Sequence, residues 1–111
     1  MPHVDLSSSV LELDVPVRIE HAGMKLVVIR TEERIFAYED VCPHAFWPLS
    51  EGSVHQGILE CPGHGWEFNV ENGRCLNAPA YCLTSVSVAV NGELVTLRWE
   101  NSLKHAEVSR P

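Results

Sequence analysis

The stretch TSVSVAVNGELVTLRW, residues 84–99, decides the fold class. Val86, Val88 and Val90 alternate with small or polar residues over 84–90, the period of a strand that buries one face. Asn91-Gly92 comes next, and a second apolar run occupies 93–99. Asn-Gly between two such runs is the strongest short hairpin signal, since both residues tolerate the positive φ of a type I′ turn. Toward the N-terminus the same pattern returns. Residues 15–20 and 24–30 read as strands around the turn His21-Ala22-Gly23, and 34–38 as a third after the polar Thr31-Glu32-Glu33. The expectation is an all-β chain, a meander followed by a hairpin.

At 111 residues the chain has the length of one domain, enough for a real core but not for two independent ones. Its hydrophobic fraction of 45% is that of a globular protein and argues against extensive disorder. A formal net charge of -7 disfavours nucleic acid and anionic membrane surfaces, which require clustered Lys and Arg; a basic protein partner fits better. The opening residues carry Asp5 and Ser7 to Ser9 and lack the basic start and apolar run of a signal peptide. No apolar run reaches the eighteen or so residues of a membrane span. A cytoplasmic protein is expected, in which cysteines serve as metal ligands or plain thiols rather than as a disulfide framework. Residues 101–111 are polar and expected to be a loosely held tail. There is no internal repeat and no low-complexity stretch.

Between the two β regions, residues of about 40–83 are of another kind, rich in Pro, Gly, Cys, His and aromatics. Only 57–60 and 66–70 read as strands there, so the segment looks like an insert folded around something other than apolar side chains. It contains Cys42-Pro43-His44 and, after sixteen intervening residues, Cys61-Pro62-Gly63-His64. Each half offers one thiolate and one imidazole, a mixture suited to zinc, copper(I) or iron-sulfur centres. Zinc sites commonly pair cysteines in one half and histidines in the other. Here Cys42 and His44 would instead stand side by side on an extended segment, about 6 to 7 Å apart, which suits two neighbouring metals. The spacing permits a binuclear centre; a structural zinc site, or unconnected cysteines and histidines, are the alternatives.

These residues resemble the Rieske family, whose centres take two Cys on one iron and two His on the other. The similarity extends to Pro43, Pro62, Gly63 and Gly65 beside the ligands and to Asn77-Ala78-Pro79-Ala80, which is similar to the Pro loop that covers the cluster, and with the flanking β pattern it spans nearly the whole chain. The resemblance implies an antiparallel β-sandwich with a small inserted cluster-binding subdomain. It also implies one [2Fe-2S] cluster, with Cys42 and Cys61 on the buried iron and His44 and His64 on the exposed one. Where high-potential members carry a disulfide between the ligand loops, this sequence has Trp47 and Gly63. Where they carry Ser and Tyr hydroxyls toward the sulfurs, it has Trp66 and Phe68. The missing hydroxyls imply a low-potential centre, near the roughly -150 mV end of the family's range. The potential is expected to fall at alkaline pH, because oxidised iron acidifies the outer N–H of a histidine ligand.

Three function classes follow. The resemblance favours a ferredoxin that takes single electrons from a flavin-containing NAD(P)H reductase and delivers them to a terminal oxygenase, of the aromatic-ring dioxygenase kind or, less often, the diiron monooxygenase kind. An intact oxygenase also needs a mononuclear iron on two His and a carboxylate, and after His64 only His105 remains. A nitrite-reductase small subunit or a zinc-bound module is the third class; such subunits often lose the ligands that this chain keeps. Cys75 and Cys82 are expected as free thiols, and His3, His21, His55 and His105 as solvated. Phe46, Trp47 and Trp66 are expected to shield the cluster, with Trp47 or Pro79 as part of a docking face.

Overall fold

The computed structural model describes residues 2–32, 34–43, 47–63, 65–78 and 80–99. Nine strands run in chain order: β1 His3–Ser7, β2 Val17–His21, β3 Met24–Arg30, β4 Ile35–Glu39, β5 Ser53–His55, β6 Ile58–Glu60, β7 Glu67–Asn69, β8 Ser85–Asn91 and β9 Leu94–Arg98. Six form one antiparallel sheet in the order β1-β9-β8-β4-β3-β2, and β5-β6-β7 form a second. No α-helix occurs among the described residues.

The expected meander is β2-β3-β4 and the expected hairpin is β8-β9. The two join where Ala37 pairs with Val86 and Tyr38 with Ser85. Since β4 and β8 are neighbours in the sheet, everything between them leaves and re-enters at one place, and the Glu39 N–H to Thr84 carbonyl bond, 2.8 to 2.9 Å being usual, closes that doorway at 2.9 Å. The 40–83 insert is thereby tied at both ends to the two most central strands.

Two features differ from the sequence expectation. Residues 3–7 form β1, which pairs along its full length with β9. Its alternation, with Val4 and Leu6 packed on the core, is present in the sequence but short enough to pass as an unstructured N-terminus. The second difference is at the hairpin. Asn91 pairs with Leu94, so the central turn residues are Gly92 and Glu93, and only Gly92 has positive φ, at 63°. That is the pattern of type II′ with Gly first, not type I′. The I′ pattern occurs instead at Ala22-Gly23, φ 53° and 82°, and at Gln56-Gly57, φ 55° and 77°, where β2-β3 and β5-β6 turn.

Packing divides into two cores with β3 as their common wall. Leu26 and Val28 face one core, together with Leu11, Met24, Ala37, Val86, Val95, Leu97 and Trp99. Val27 and Ile29 face the other, which contains Tyr38 and the buried residues of the insert. A strand covered on both faces reads as a continuous apolar run rather than an alternating one, and Leu26-Val27-Val28-Ile29, all buried, is such a run. One sheet thus supplies the floor on which the insert is built.

Candidate functional site

The insert begins at Asp40, whose carboxylate is buried. Its Oδ1 accepts the Ser50 N–H at 2.7 Å and its Oδ2 the Ser50 hydroxyl at 2.6 Å. Arg18 Nε lies 3.7 Å from the same Oδ2. These contacts clamp together the two ends of the segment that holds the first candidate loop, 42–47. A buried carboxylate is costly unless hydrogen-bonded and paired, and here both conditions are met. Nothing in the linear sequence distinguished Asp40 or Ser50 from other surface-type residues; only the fold brings them together.

The two candidate loops are built alike. Loop 42–47 opens on Cys42-Pro43 and ends on Trp47; loop 61–66 opens on Cys61-Pro62 and ends on Trp66. In the first, the Cys42 N–H donates to the Trp47 carbonyl at 2.8 Å; in the second, the Cys61 N–H donates to the Trp66 carbonyl at 2.7 Å. The same closure of a six-residue loop therefore occurs twice, and Pro stiffens each at its second position. Gly65, at φ +71°, takes the left-handed conformation that lets its N–H reach back to the Cys61 carbonyl at 3.1 Å.

Both cysteines lie at the floor of these loops. Cys42 is 0% and Cys61 1% exposed, and both belong to one apolar cluster with Leu49, Val54, Leu59, Phe68, Val70, Cys75 and Leu83. His44 and His64, with Phe46 and Pro79, lie outside the described residues, as does the 101–111 tail. Among the described residues no three His, Cys, Asp or Glu side chains stand together as a metal site. The described half of the expected donor set fits an iron-sulfur group: two soft donors, each heading a backbone-closed loop and each withdrawn from water.

A third segment, 75–81, packs beside the second loop. The Leu76 N–H donates to the Glu67 carbonyl at 2.8 Å and the Glu67 N–H to Asn77 Oδ1 at 2.7 Å, so Asn77 fastens the expected Pro loop to β7. The Cys75 N–H donates to the Tyr81 carbonyl at 3.1 Å, and Tyr81 meets Trp66 edge-on with ring centroids 5.4 Å apart. Cys75 is buried and Cys82 exposed, and no disulfide joins them. His3, His21 and His55 are exposed, His21 lying edge-on to Trp99 at 6.1 Å.

Trp66 and Phe68 occupy the places at which hydroxyls were expected to be missing. Phe68 is fully buried, and Trp66 packs partly buried against the same cluster. Below them, Tyr38 donates its hydroxyl to the Val70 carbonyl at 2.5 Å. Burial, then the charges of Cys82 and Glu71, push the Tyr38 phenol up to about 12. It therefore stays a neutral donor linking the sheet to the insert.

Comparison with known proteins gives a consistent result. The Rieske [2Fe-2S] domain family matches residues 2–90. The ferredoxin component of the alkene monooxygenase system of Xanthobacter autotrophicus is 35% identical over 97 residues, covering 86% of this chain and 77% of that protein. Protein TIC 55, chloroplastic, of Pisum sativum is 39% identical over 67 residues, 60% of this chain but 12% of that much longer protein. Among solved structures, a chain from the complex of reduced oxygenase and oxidized ferredoxin in carbazole 1,9a-dioxygenase superposes with a TM-score of 0.79 at 29% identity, covering 86% of this chain and 92% of that one.

Proposed function

This chain belongs to the Rieske [2Fe-2S] domain family and holds one [2Fe-2S] cluster, and on that premise we propose that it is a cytoplasmic, single-domain ferredoxin rather than an enzyme. In this reading Cys42 and Cys61 bind the buried iron and His44 and His64 the outer one. The observation that carries it is the pair of like loops, each headed by a buried cysteine and closed by the same backbone bond. When bound, the cluster supplies one-electron redox chemistry. The chain itself holds the thiolates out of water and closes the backbone of both loops that they head.

Electrons would come from a flavin-containing NAD(P)H reductase and go to a terminal oxygenase. Two kinds of oxygenase fit. The carbazole 1,9a-dioxygenase likeness supports an aromatic-ring dioxygenase, and the alkene monooxygenase ferredoxin supports a monooxygenase. The insert has a surface suited to a transient partner. Trp47, Leu76 and Tyr81 are exposed large apolar residues, and Glu51, Glu60, Glu67 and Glu71, none of them buried, are balanced by Arg74 as the insert's one Lys or Arg. A partner face with an apolar centre and a basic rim would match it.

The first experiment is to purify the protein and measure iron, acid-labile sulfide and the EPR of the reduced form. Two irons and two sulfides per chain, with an average g below the free-electron value, are expected. One zinc and no colour would overturn the reading, as would a His64→Ala variant with an unaltered chromophore. The potential should lie near roughly -150 mV, at the low end of the family's span, and a midpoint above about +100 mV would refute the low-potential assignment.

A further inference from the structure

We propose that Trp47 is a positioning residue whose indole, seated on the Cα of Gly63, clasps the first candidate ligand loop to the second. The inference rests on the ligand assignment above and concerns how the two loops are held together.

The two loops end in tryptophans with different fates. Trp66 packs against the insert's apolar cluster and against the Tyr81 ring. Trp47 belongs to neither core cluster and is 46% exposed, yet its ring is not simply in solvent. A Cβ built on Gly63 would overlap Cδ1, Nε1 and Cγ of the Trp47 indole. The ring edge therefore lies directly on the backbone of the opposite loop.

Backbone conformation separates the reason for this glycine from the reason for its neighbour. Gly65 has φ +71°, where any side chain is strained whatever surrounds it. Gly63 is not among the glycines of positive φ, so an alanine would not meet the left-handed penalty there. What excludes it is the Trp47 ring. Gly63 is thus a socket, and the side chain that fills it comes from the other loop.

The clasp matters because the described backbone bonds of both loops close each loop on itself: Cys42 to Trp47, Cys61 to Trp66, and Gly65 to Cys61. They set the shape of each loop but not the distance between them. A centre held from both sides requires that distance to be constant. Van der Waals contact between the edge of an indole ring and a glycine backbone supplies such a constraint without a covalent bond.

A double-mutant cycle on the iron-loaded full chain tests this, with two readouts taken without any partner protein: the rate at which an iron chelator bleaches the visible absorbance, and the EPR spectrum of the reduced form. Trp47→Ala and Gly63→Ala should each speed bleaching by about fivefold or more, the size of one lost contact, and should each broaden or shift the EPR signal. The double variant should be no worse than Trp47→Ala alone, because the alanine methyl then has room. Trp47→Phe, which keeps a flat ring, should recover much of the wild-type rate. If Gly63→Ala fails to fold, the double variant must fold. Additive effects, an unrescued Gly63→Ala, or a Trp47→Ala protein with wild-type bleaching and EPR would overturn the clasp. A wild-type chain that binds no iron-sulfur cluster would instead defeat the ligand assignment.

Discussion

The two faces of β3 look onto regions stabilised in different ways. On one side, Leu26 and Val28 join a core of aliphatic side chains from six paired strands, where long ladders and burial suffice. On the other, Val27 and Ile29 support an insert with a sheet of three-residue strands, three buried thiols, and loops closed by one or two backbone bonds each. Three-residue strands are marginal by themselves. The difference teaches that the frame is a self-sufficient β fold, whereas the insert depends on anchors at its ends and on the group its loops enclose.

The largest test of that division is removal of a candidate ligand. Cys61→Ser is expected to abolish the visible chromophore and to make residues 40–84 the first site of proteolysis, while far-UV circular dichroism of the frame persists. Loss of all β signal would show that frame and insert fold as one unit. Next comes a pair of core truncations. Leu26→Ala and Leu59→Ala both remove a fully buried side chain and should each cost about 3 kcal/mol in chemical denaturation. Leu26→Ala should cost the same with and without iron, Leu59→Ala more in the loaded protein.

The join between the regions carries its own pH signature. The Tyr38 phenol, raised to about 12, ionises more readily in the unfolded chain than in the fold. Its contribution is therefore complete below about pH 10 and is lost as pH climbs through about 12, up to about 2 to 3 kcal/mol. Denaturation at pH 8 and pH 11 should show about half of this loss, roughly 1 to 1.5 kcal/mol, and Tyr38→Phe should flatten it. A smaller effect is expected at Glu60, which ends β6 immediately before the second loop and whose carboxylate lies 3.4 Å from where a Cβ of Gly65 would stand. Removing that charge should favour the reduced, more negative state, so Glu60→Gln should raise the midpoint by about 20 to 50 mV in voltammetry. The smallest change is in the frame: Ala22→Asn, at φ 53°, should stabilise by roughly 0.4 kcal/mol by easing a left-handed residue.

Strands were legible where their periodicity was long enough to exceed chance. The seven-residue runs of β3 and β8 stand out in the sequence, and with them the meander and the hairpin. His3–Ser7 alternates too, but five residues with one strand of pairing partner ninety positions away gave no local reason to prefer a strand. The hairpin turn was placed one residue early because Asn91 suits a turn equally well; its pairing with Leu94 is a property of register, set by which valines face the core. Cysteines and histidines of the candidate site were visible because metal-binding residue types in close spacing are rare. Their supports were not: Asp40, Ser50, Asn77 and Tyr38 are ordinary residues individually.

From the linear chain alone came the all-β class, the location of the insert, and the C-x-H and C-x-x-H ligand types, because each is encoded in neighbours within a few positions. The tertiary structure decided which strands meet, that β3 serves two cores, that Asp40 clamps Ser50, and that Trp47 rests on Gly63. Those are contacts between residues ten or more apart, and their energies arise only when burial removes water from both partners at once.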